Sequence, residues 1–189
     1  MLTQTLQFLL DTLVQTYAAL LLLRFHLNWL RAPMRNPPGE LVMLLTNLLV
    51  LPVRRLVPRA WGLDLATLLL AFGVEMIYLG ATLYLHHSII SVLPLVLWVL
   101  VKLVKISIYL LMGALFIEAL LSWTNPDNSL MALLRSMTRP FLKPFQRLVP
   151  PAGGFDFSFL ILFYLLYIIL VLPVGWLEGM VLRALFGAL

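Results

Sequence analysis

The chain has 189 residues, of which 62% are hydrophobic and 11% are charged. Soluble domains carry about 45–50% apolar and about 25% charged residues, so a soluble globule could not cover this much apolar surface. The composition excludes an ordinary cytosolic enzyme and a disordered protein, and the absence of cysteine excludes a disulfide-linked secreted scaffold. The remaining class is an integral membrane protein, in which orientation in the bilayer explains the net charge of +5 better than nucleic-acid binding does.

Four segments are long and apolar enough to cross a bilayer, since a spanning helix needs about 20 mostly apolar residues. Their predicted bounds are residues 6–30, 64–85, 101–123 and 157–173. Residues 89–100 are predicted to form an interfacial or tilted lead-in to the third span that is broken at Pro94. Residues 174–189 either continue the fourth span past a kink or lie along the membrane surface.

The Lys and Arg residues are concentrated in the first and third connections between spans. These connections hold nine of the thirteen cationic side chains: Arg31, Arg35, Arg54, Arg55, Arg59, Arg135, Arg139, Lys143 and Arg147. With four spans these two connections share a side. The positive-inside rule therefore predicts that they are cytoplasmic and that both termini lie outside, although Lys102 and Lys105 weakly oppose this orientation.

The chain contains an internal repeat at an offset of 92 residues. Residues 52–66 read PVRRLVPRAWGLDLA and residues 144–158 read PFQRLVPPAGGFDFS, which are identical at eight of fifteen positions. Thr46 and Thr138 extend this match upstream. The spans that precede the motif align at an offset of 94, and the change in offset falls in a connection, where insertions are tolerated.

Each repeat is predicted to contain a span, a surface segment and a second span. The repeats occupy residues 1–88 and 89–189, and both have the same orientation because each crosses the membrane twice. The predicted fold class is therefore an all-α integral membrane protein with four transmembrane helices in two tandem parallel repeats. Each repeat carries a cytoplasmic amphipathic interfacial segment.

Residues 130–149 form the clearer of the two amphipathic segments. Its cations recur every four residues and are Arg135, Arg139, Lys143 and Arg147. Pro140 and Pro144 are predicted to divide the segment into two short helices. The apolar face can enter the headgroup boundary while the cations reach anionic lipids, to which each contributes about 1 kcal/mol.

The equivalent segment, residues 40–57, is more apolar and has its cations, Arg54 and Arg55, near its end. Two interpretations of the cations in both segments stay open. They only set topology and anchor the loops, as juxtamembrane basic residues commonly do, or they form a docking surface for anionic lipids or a protein partner. Asp64 and Asp156 open spans and are predicted to be helix N-caps, with a cation site as the alternative.

Charged residues inside spans usually face a partner or a cavity. The offset of 94 pairs Asp11 with Lys105 and Arg24 with Glu118, so the two repeats carry opposite charges at equivalent positions. If the first and third spans pack around a pseudo-twofold axis, these residues form two intramembrane ion pairs. The alternative is that all four side chains reach the membrane interfaces separately.

A polar stripe on the first span and an acid in the second are further intramembrane features. The stripe consists of Gln4, Gln7, Asp11 and Gln15. Such a face avoids lipid, so it lies against the bundle, another subunit or a water-filled crevice. Glu75 has no charged counterpart in the second repeat and is the candidate for a proton or cation site, with buried pairing as the alternative.

Two features of the repeats are specific: Ser-Trp at the end of a span and P-x-x-R-x-x-P…G-x-D before the next span. The second repeat carries them at Ser122, Trp123, Pro140, Pro144, Arg147, Pro150, Gly154, Asp156 and Ser158. In these features the chain resembles the YggT (also called YlmG) family of small bacterial and plastid membrane proteins, in its two-repeat bacterial form. The first repeat departs from the family pattern at Asn28, Leu48 and Ala66.

The resemblance implies a bacterial inner-membrane protein, without an established reaction, that contributes to membrane integrity or osmotic-stress tolerance. Relatives occur beside cell-division genes, and plastid relatives are tied to cytochrome complex assembly and nucleoid organisation. We therefore expect a non-catalytic organiser or assembly factor without a cofactor. Its expected partners are anionic lipids and either another membrane protein or a second copy of the chain.

The alternative is an oligomeric channel or transporter subunit for potassium or protons that uses Glu75. The sequence contains no P-loop, dinucleotide-binding, nucleophile-elbow or zinc-protease motif, so we expect no enzymatic activity.

Overall fold

The structure is a computed structural model that describes residues 2–57, 62–85, 91–149 and 157–186. Its helices are α1 (Leu2–Trp29), α2 (Pro37–Leu56), α3 (Leu65–Leu85), α4 (Val92–Thr124), α5 (Ser129–Leu148), α6 (Ser158–Ile169), a π-helical turn (Leu170–Val174) and α7 (Gly175–Phe186). Four stretches have the length and composition of membrane spans, namely α1, α3, α4 and the continuous helix from α6 to α7. The all-helical fold class with four spans is confirmed.

The order of helices is the same in both halves, and the two surface helices begin in the same way. The side-chain oxygen of Asn36 accepts a hydrogen bond from the Gly39 amide at 2.8 Å, and that of Asn128 accepts one from the Leu130 amide at 2.9 Å. The two asparagines are 92 residues apart, so the offset of the motif extends to the N-caps of α2 and α5.

The third span is one unbroken helix of 33 residues, so the predicted break at Pro94 is wrong. Pro94 lies in the first turn of α4, where its missing N–H would have no helical partner in any case. At about 1.5 Å per residue α4 is about 50 Å long, which exceeds the hydrocarbon core of about 30 Å.

The fourth span does not end at residue 173. The chain continues through the π-helical turn, which contains Pro173, and then through α7 to Phe186. A proline lacks the N–H that an α-helix needs, and a wider turn is one of the local adjustments that accommodate it in a spanning helix. Of the two alternatives for the C-terminal segment, the structure shows continuation past an irregular turn as far as residue 186.

The second surface helix, α5, is also unbroken, so the predicted division at Pro140 and Pro144 is wrong. Both prolines are exposed, and each removes one helical hydrogen bond without dividing the helix. Much of the apolar face of α5 is buried against other helices of the bundle. Leu134 packs with Leu27 of α1, and Leu142 packs with Leu162 of α6.

The centre of the bundle is an apolar cluster contributed by α1 to α4, which includes Leu21, Val50, Leu79 and Val99. The buried face of α3 recurs at steps of four: Thr67, Ala71, Glu75, Leu79 and Leu83. This face is therefore interrupted at its middle by a carboxylate.

Candidate functional site

The cations of α5 form an exposed row, which we call the basic stripe: Arg135, Arg139, Lys143 and Arg147. The opposite face of the helix is buried at Met131, Leu134 and Met137. Because α5 is fixed by this packing, its cations are held about 6 Å apart along the helix axis, from four residues at 1.5 Å each. The arrangement suits an extended anionic surface better than one small anion.

The cations of α2 are placed differently from those of α5. Arg54 forms a salt bridge with Asp64, which is 1% exposed, and Asn28 donates to the same carboxylate oxygen at 3.2 Å. This contact joins the ends of α1 and α2 to the start of α3, which gives Arg54 a structural role that Arg55 does not share. Arg55 is exposed.

Asp64 occupies the N-cap position of α3, since its carbonyl oxygen accepts from the amides of Thr67 at 3.1 Å and Leu68 at 3.3 Å. Its side chain binds Arg54 and Asn28, a role that the sequence analysis did not assign. Asp156, the predicted N-cap of the second repeat, lies outside the described residues.

The predicted ion pair between Arg24 and Glu118 does not form in the structure. Arg24, which is 3% exposed, donates to Thr46 Oγ1 at 2.7 Å and Asn47 Oδ1 at 2.9 Å. Glu118 accepts from Thr138 Oγ1. The physical reason is that each charge reaches a buried threonine on the surface helix of its own repeat, which leaves no need for a partner across the axis.

The predicted ion pair between Asp11 and Lys105 does not form either. Asp11 accepts from the amide of Gln15, one turn away, at 2.8 and 2.9 Å. Lys105 Nζ lies 2.7 Å from Glu178 Oε2. Glu178 can reach α4 because the fourth span continues through Pro173 into α7.

Glu75 is fully buried at the middle of α3, and Lys102 Nζ of α4 lies 2.9 Å from its Oε2. The same ammonium is 5.7 Å from the centre of the Tyr78 ring, within range of a cation–π contact. The structure therefore shows the buried pairing of Glu75, and a proton or cation site at Glu75 stays a prediction. The sequence predicts only an effect on topology for Lys102.

A polar cavity of about 630 Å³ lies between α1, α3, α4 and α7. It is lined by the complete polar stripe of α1 and by further polar or charged side chains: Tyr78, Thr82, Lys102, Lys105, Tyr109 and Glu178. The stripe therefore faces a crevice. The cavity involves the first half of α1, the second half of α3 and the first half of α4, so it lies towards the end of the bundle away from α2 and α5.

Among the described residues, no group of three or more His, Asp or Glu side chains could hold a metal ion. The bundle carries a basic surface helix at one end and a charged cavity towards the other. With its repeated order of helices, it belongs to the class of polytopic membrane proteins with an internal repeat.

The chain belongs to the CCB3/YggT family, whose model matches residues 3–85 and 97–177. The resemblance found in the sequence is thereby confirmed, and one matched segment falls in each half of the chain.

Several bacterial proteins are similar to this chain. YggT of Escherichia coli (strain K12) is 33% identical over 168 residues, which cover 87% of each chain. The Pseudomonas aeruginosa protein PA0392 is 31% identical over 177 residues, which cover 92% of this chain and 90% of that protein. A Haemophilus influenzae protein is 31% identical over 166 residues. No solved structure gives a significant match.

The pair of Glu75 and Lys102 generates a prediction about stability. Replacing Lys102 with Met leaves a fully buried carboxylate without its counter-ion, which should lower the free energy of unfolding by about 3–5 kcal/mol. Glu75→Gln combined with Lys102→Met should recover most of the loss, because no charge is left unpaired. The measurement is thermal unfolding of the purified protein in detergent, with the exposed Lys143→Met variant as the control. A double variant less stable than Lys102→Met would contradict this account.

Proposed function

We propose that the protein is a non-catalytic organiser or assembly factor of the bacterial inner membrane that supports envelope integrity under osmotic stress. The basic stripe on α5 is its working surface. The single observation that carries the proposal is that four exposed cations stand on a helix whose opposite face is buried in the bundle. Cations that only set topology need not be held in fixed positions. A docking surface gains affinity when its cations are held in place, because less conformational entropy is lost on binding.

The membrane orientation that suits this role places α2 and α5 on the cytoplasmic side and both termini in the periplasm. The support is the distribution of Lys and Arg, which favours the cytoplasmic side for the first and third connections. In that orientation the basic stripe faces the anionic cytoplasmic leaflet and the proteins assembled on it.

Cysteine labelling in intact cells tests the orientation, since the chain has no cysteine of its own. Asp127→Cys lies in the exposed connection between α4 and α5, and Ser91→Cys is exposed just before α4. A membrane-impermeant maleimide should label Ser91→Cys in cells with a permeabilised outer membrane. It should label Asp127→Cys only after the inner membrane is opened. The reverse labelling pattern would show that the chain has the opposite orientation in the membrane.

Growth of cells that lack the chromosomal copy tests the role of the basic stripe. Arg139→Gln/Lys143→Gln/Arg147→Gln should fail to restore growth after an osmotic upshift, because three adjacent docking charges are gone, while the protein still accumulates in the membrane. The matched control is Arg31→Gln/Arg35→Gln, which removes exposed cations from the first connection. If both variants restore growth equally, the cations serve only topology and the proposal fails.

A second candidate function is an ion-conducting subunit, and the polar cavity is the observation that favours it. The cavity reaches Lys102, whose partner Glu75 lies at the middle of a span. Four spans are too few to enclose most pores, so this function requires an oligomer.

Potassium flux into anionic liposomes tests the second candidate. Flux above that of empty liposomes, lowered by Asp11→Asn and abolished by Glu75→Gln, would establish conduction through the cavity. Asp11 is suited to this test because it lines the cavity and accepts hydrogen bonds from Gln15 of the same helix. Correctly inserted protein with no flux would eliminate conduction.

A further inference from the structure

A second cavity, entirely different in character, opens on the side of the bundle beside α5. It has a volume of about 780 Å³ and lies between α1, α4, α5 and α6. Aliphatic and aromatic side chains dominate its lining, among them Phe25, Phe141, Phe145, Leu162 and Leu165. We call it the apolar groove. His26 also lines it, but its Nδ1 is engaged by the Leu22 carbonyl oxygen at 2.7 Å.

The edge of the apolar groove on α5 is formed by Pro140 and Pro144. Lys143 and Arg147 each follow one of these prolines by three residues, so each cation neighbours a proline on the helix surface. Both cations are exposed, and neither has an ion-pair partner within the described part of the chain. Arg135, by contrast, lies 3.9 Å from Glu118 and is about two helical turns before Lys143 in the basic stripe.

We propose that the apolar groove holds an acyl chain of an anionic phospholipid whose phosphate lies on Lys143 and Arg147. The inference rests on the proposed function, because it names the ligand of the basic stripe. Charge complementarity supports this occupant, because the groove accommodates hydrocarbon while its cationic rim binds a headgroup with net negative charge. A zwitterionic lipid brings its own cation to that rim and gains less.

The first repeat does not offer the same rim. The residues of α2 that correspond to Lys143 and Arg147 are Leu51 and Arg55, so an exposed leucine replaces one of the two rim cations. The outer face of α2 is instead rich in leucine, with Leu44 74% and Leu48 82% exposed. The pair of cations that the proposed lipid site needs is therefore complete only in the second repeat.

Native mass spectrometry of the delipidated full-length protein, titrated with phosphatidylglycerol or phosphatidylethanolamine, tests the inference. The wild-type chain should bind phosphatidylglycerol more tightly. Lys143→Gln/Arg147→Gln should weaken that binding about 25-fold, from about five-fold for each cation, and should weaken phosphatidylethanolamine binding by a smaller factor. Arg135→Gln removes one charge from the same helix away from the groove and should change the affinity less than two-fold.

A groove variant separates the acyl chain from the headgroup. Leu165 lines the groove and is 40% exposed, so Leu165→Trp can occupy the groove without entering the core. It should weaken phosphatidylglycerol binding at least ten-fold. If the charge variant loses selectivity while Leu165→Trp binds normally, the cations bind headgroups alone. The groove inference then fails while the basic stripe stands as a docking surface.

Two other outcomes would overturn the lipid assignment. Equal affinity for the two lipids would show that the rim does not select charge. A dimer that forms without lipid and is lost in Leu165→Trp would make the groove an interface between copies. If the wild-type chain binds phosphatidylglycerol as expected but the triple variant of the growth test still restores growth, the proposed function is rejected and the lipid site is kept.

Discussion

Every charged group within the spans of this protein must be satisfied by the protein itself, because hydrocarbon offers no hydrogen bonds. The bundle is organised around that requirement. Glu75 fixes α3 to α4 through Lys102, and Lys105 fixes α4 to α7 through Glu178. The two lysines are three residues apart on one face of α4, so a single helix surface links both neighbours.

The same requirement explains how the surface helices are attached. Arg24 and Glu118 carry opposite charges at equivalent positions, yet each is bound by the equivalent threonine of its own surface helix. A hydroxyl can donate to a carboxylate and accept from a guanidinium, so one residue type serves both repeats. The repeats could therefore diverge in charge without changing how α2 and α5 are attached to the spans.

Much of the fold could be predicted from the sequence, because apolar length and a fixed offset are local properties of the chain. The four spans and the two-part organisation follow from them. The breaks at Pro94 and Pro140 were wrong because the position of a proline in a helix, and its exposure, decide whether it interrupts. Neither the position of a proline within a helix nor its exposure can be read from the composition of a segment.

The candidate sites were predicted less well, for a related reason. Equivalent positions in two repeats indicate similar depth in the membrane, and the two ion pairs were inferred from opposite charges at such positions. The partners observed depend on rotation about the helix axes, and for Lys105 on a residue beyond Pro173, where the sequence left two courses of the chain open. The match between Thr46 and Thr138 is present in the sequence. The role of the two threonines depends on which face of each surface helix packs against the first span of its repeat.

The π-helical turn has a consequence for the phase of the fourth span. The buried positions of that span recur at steps of four: Ser158, Leu162, Leu166, Leu170 and Val174. In a straight α-helix such a row rotates by about 40° per step, since one turn takes 3.6 residues, and would soon wind away from its neighbour. A turn that takes up an additional residue brings the row back, so one continuous helix keeps contact with α4 on both sides of the irregularity. The direction in which the buried row faces is therefore reset at the π-helical turn. A hydrophobic periodicity calculated over the whole span averages the segments before and after that turn.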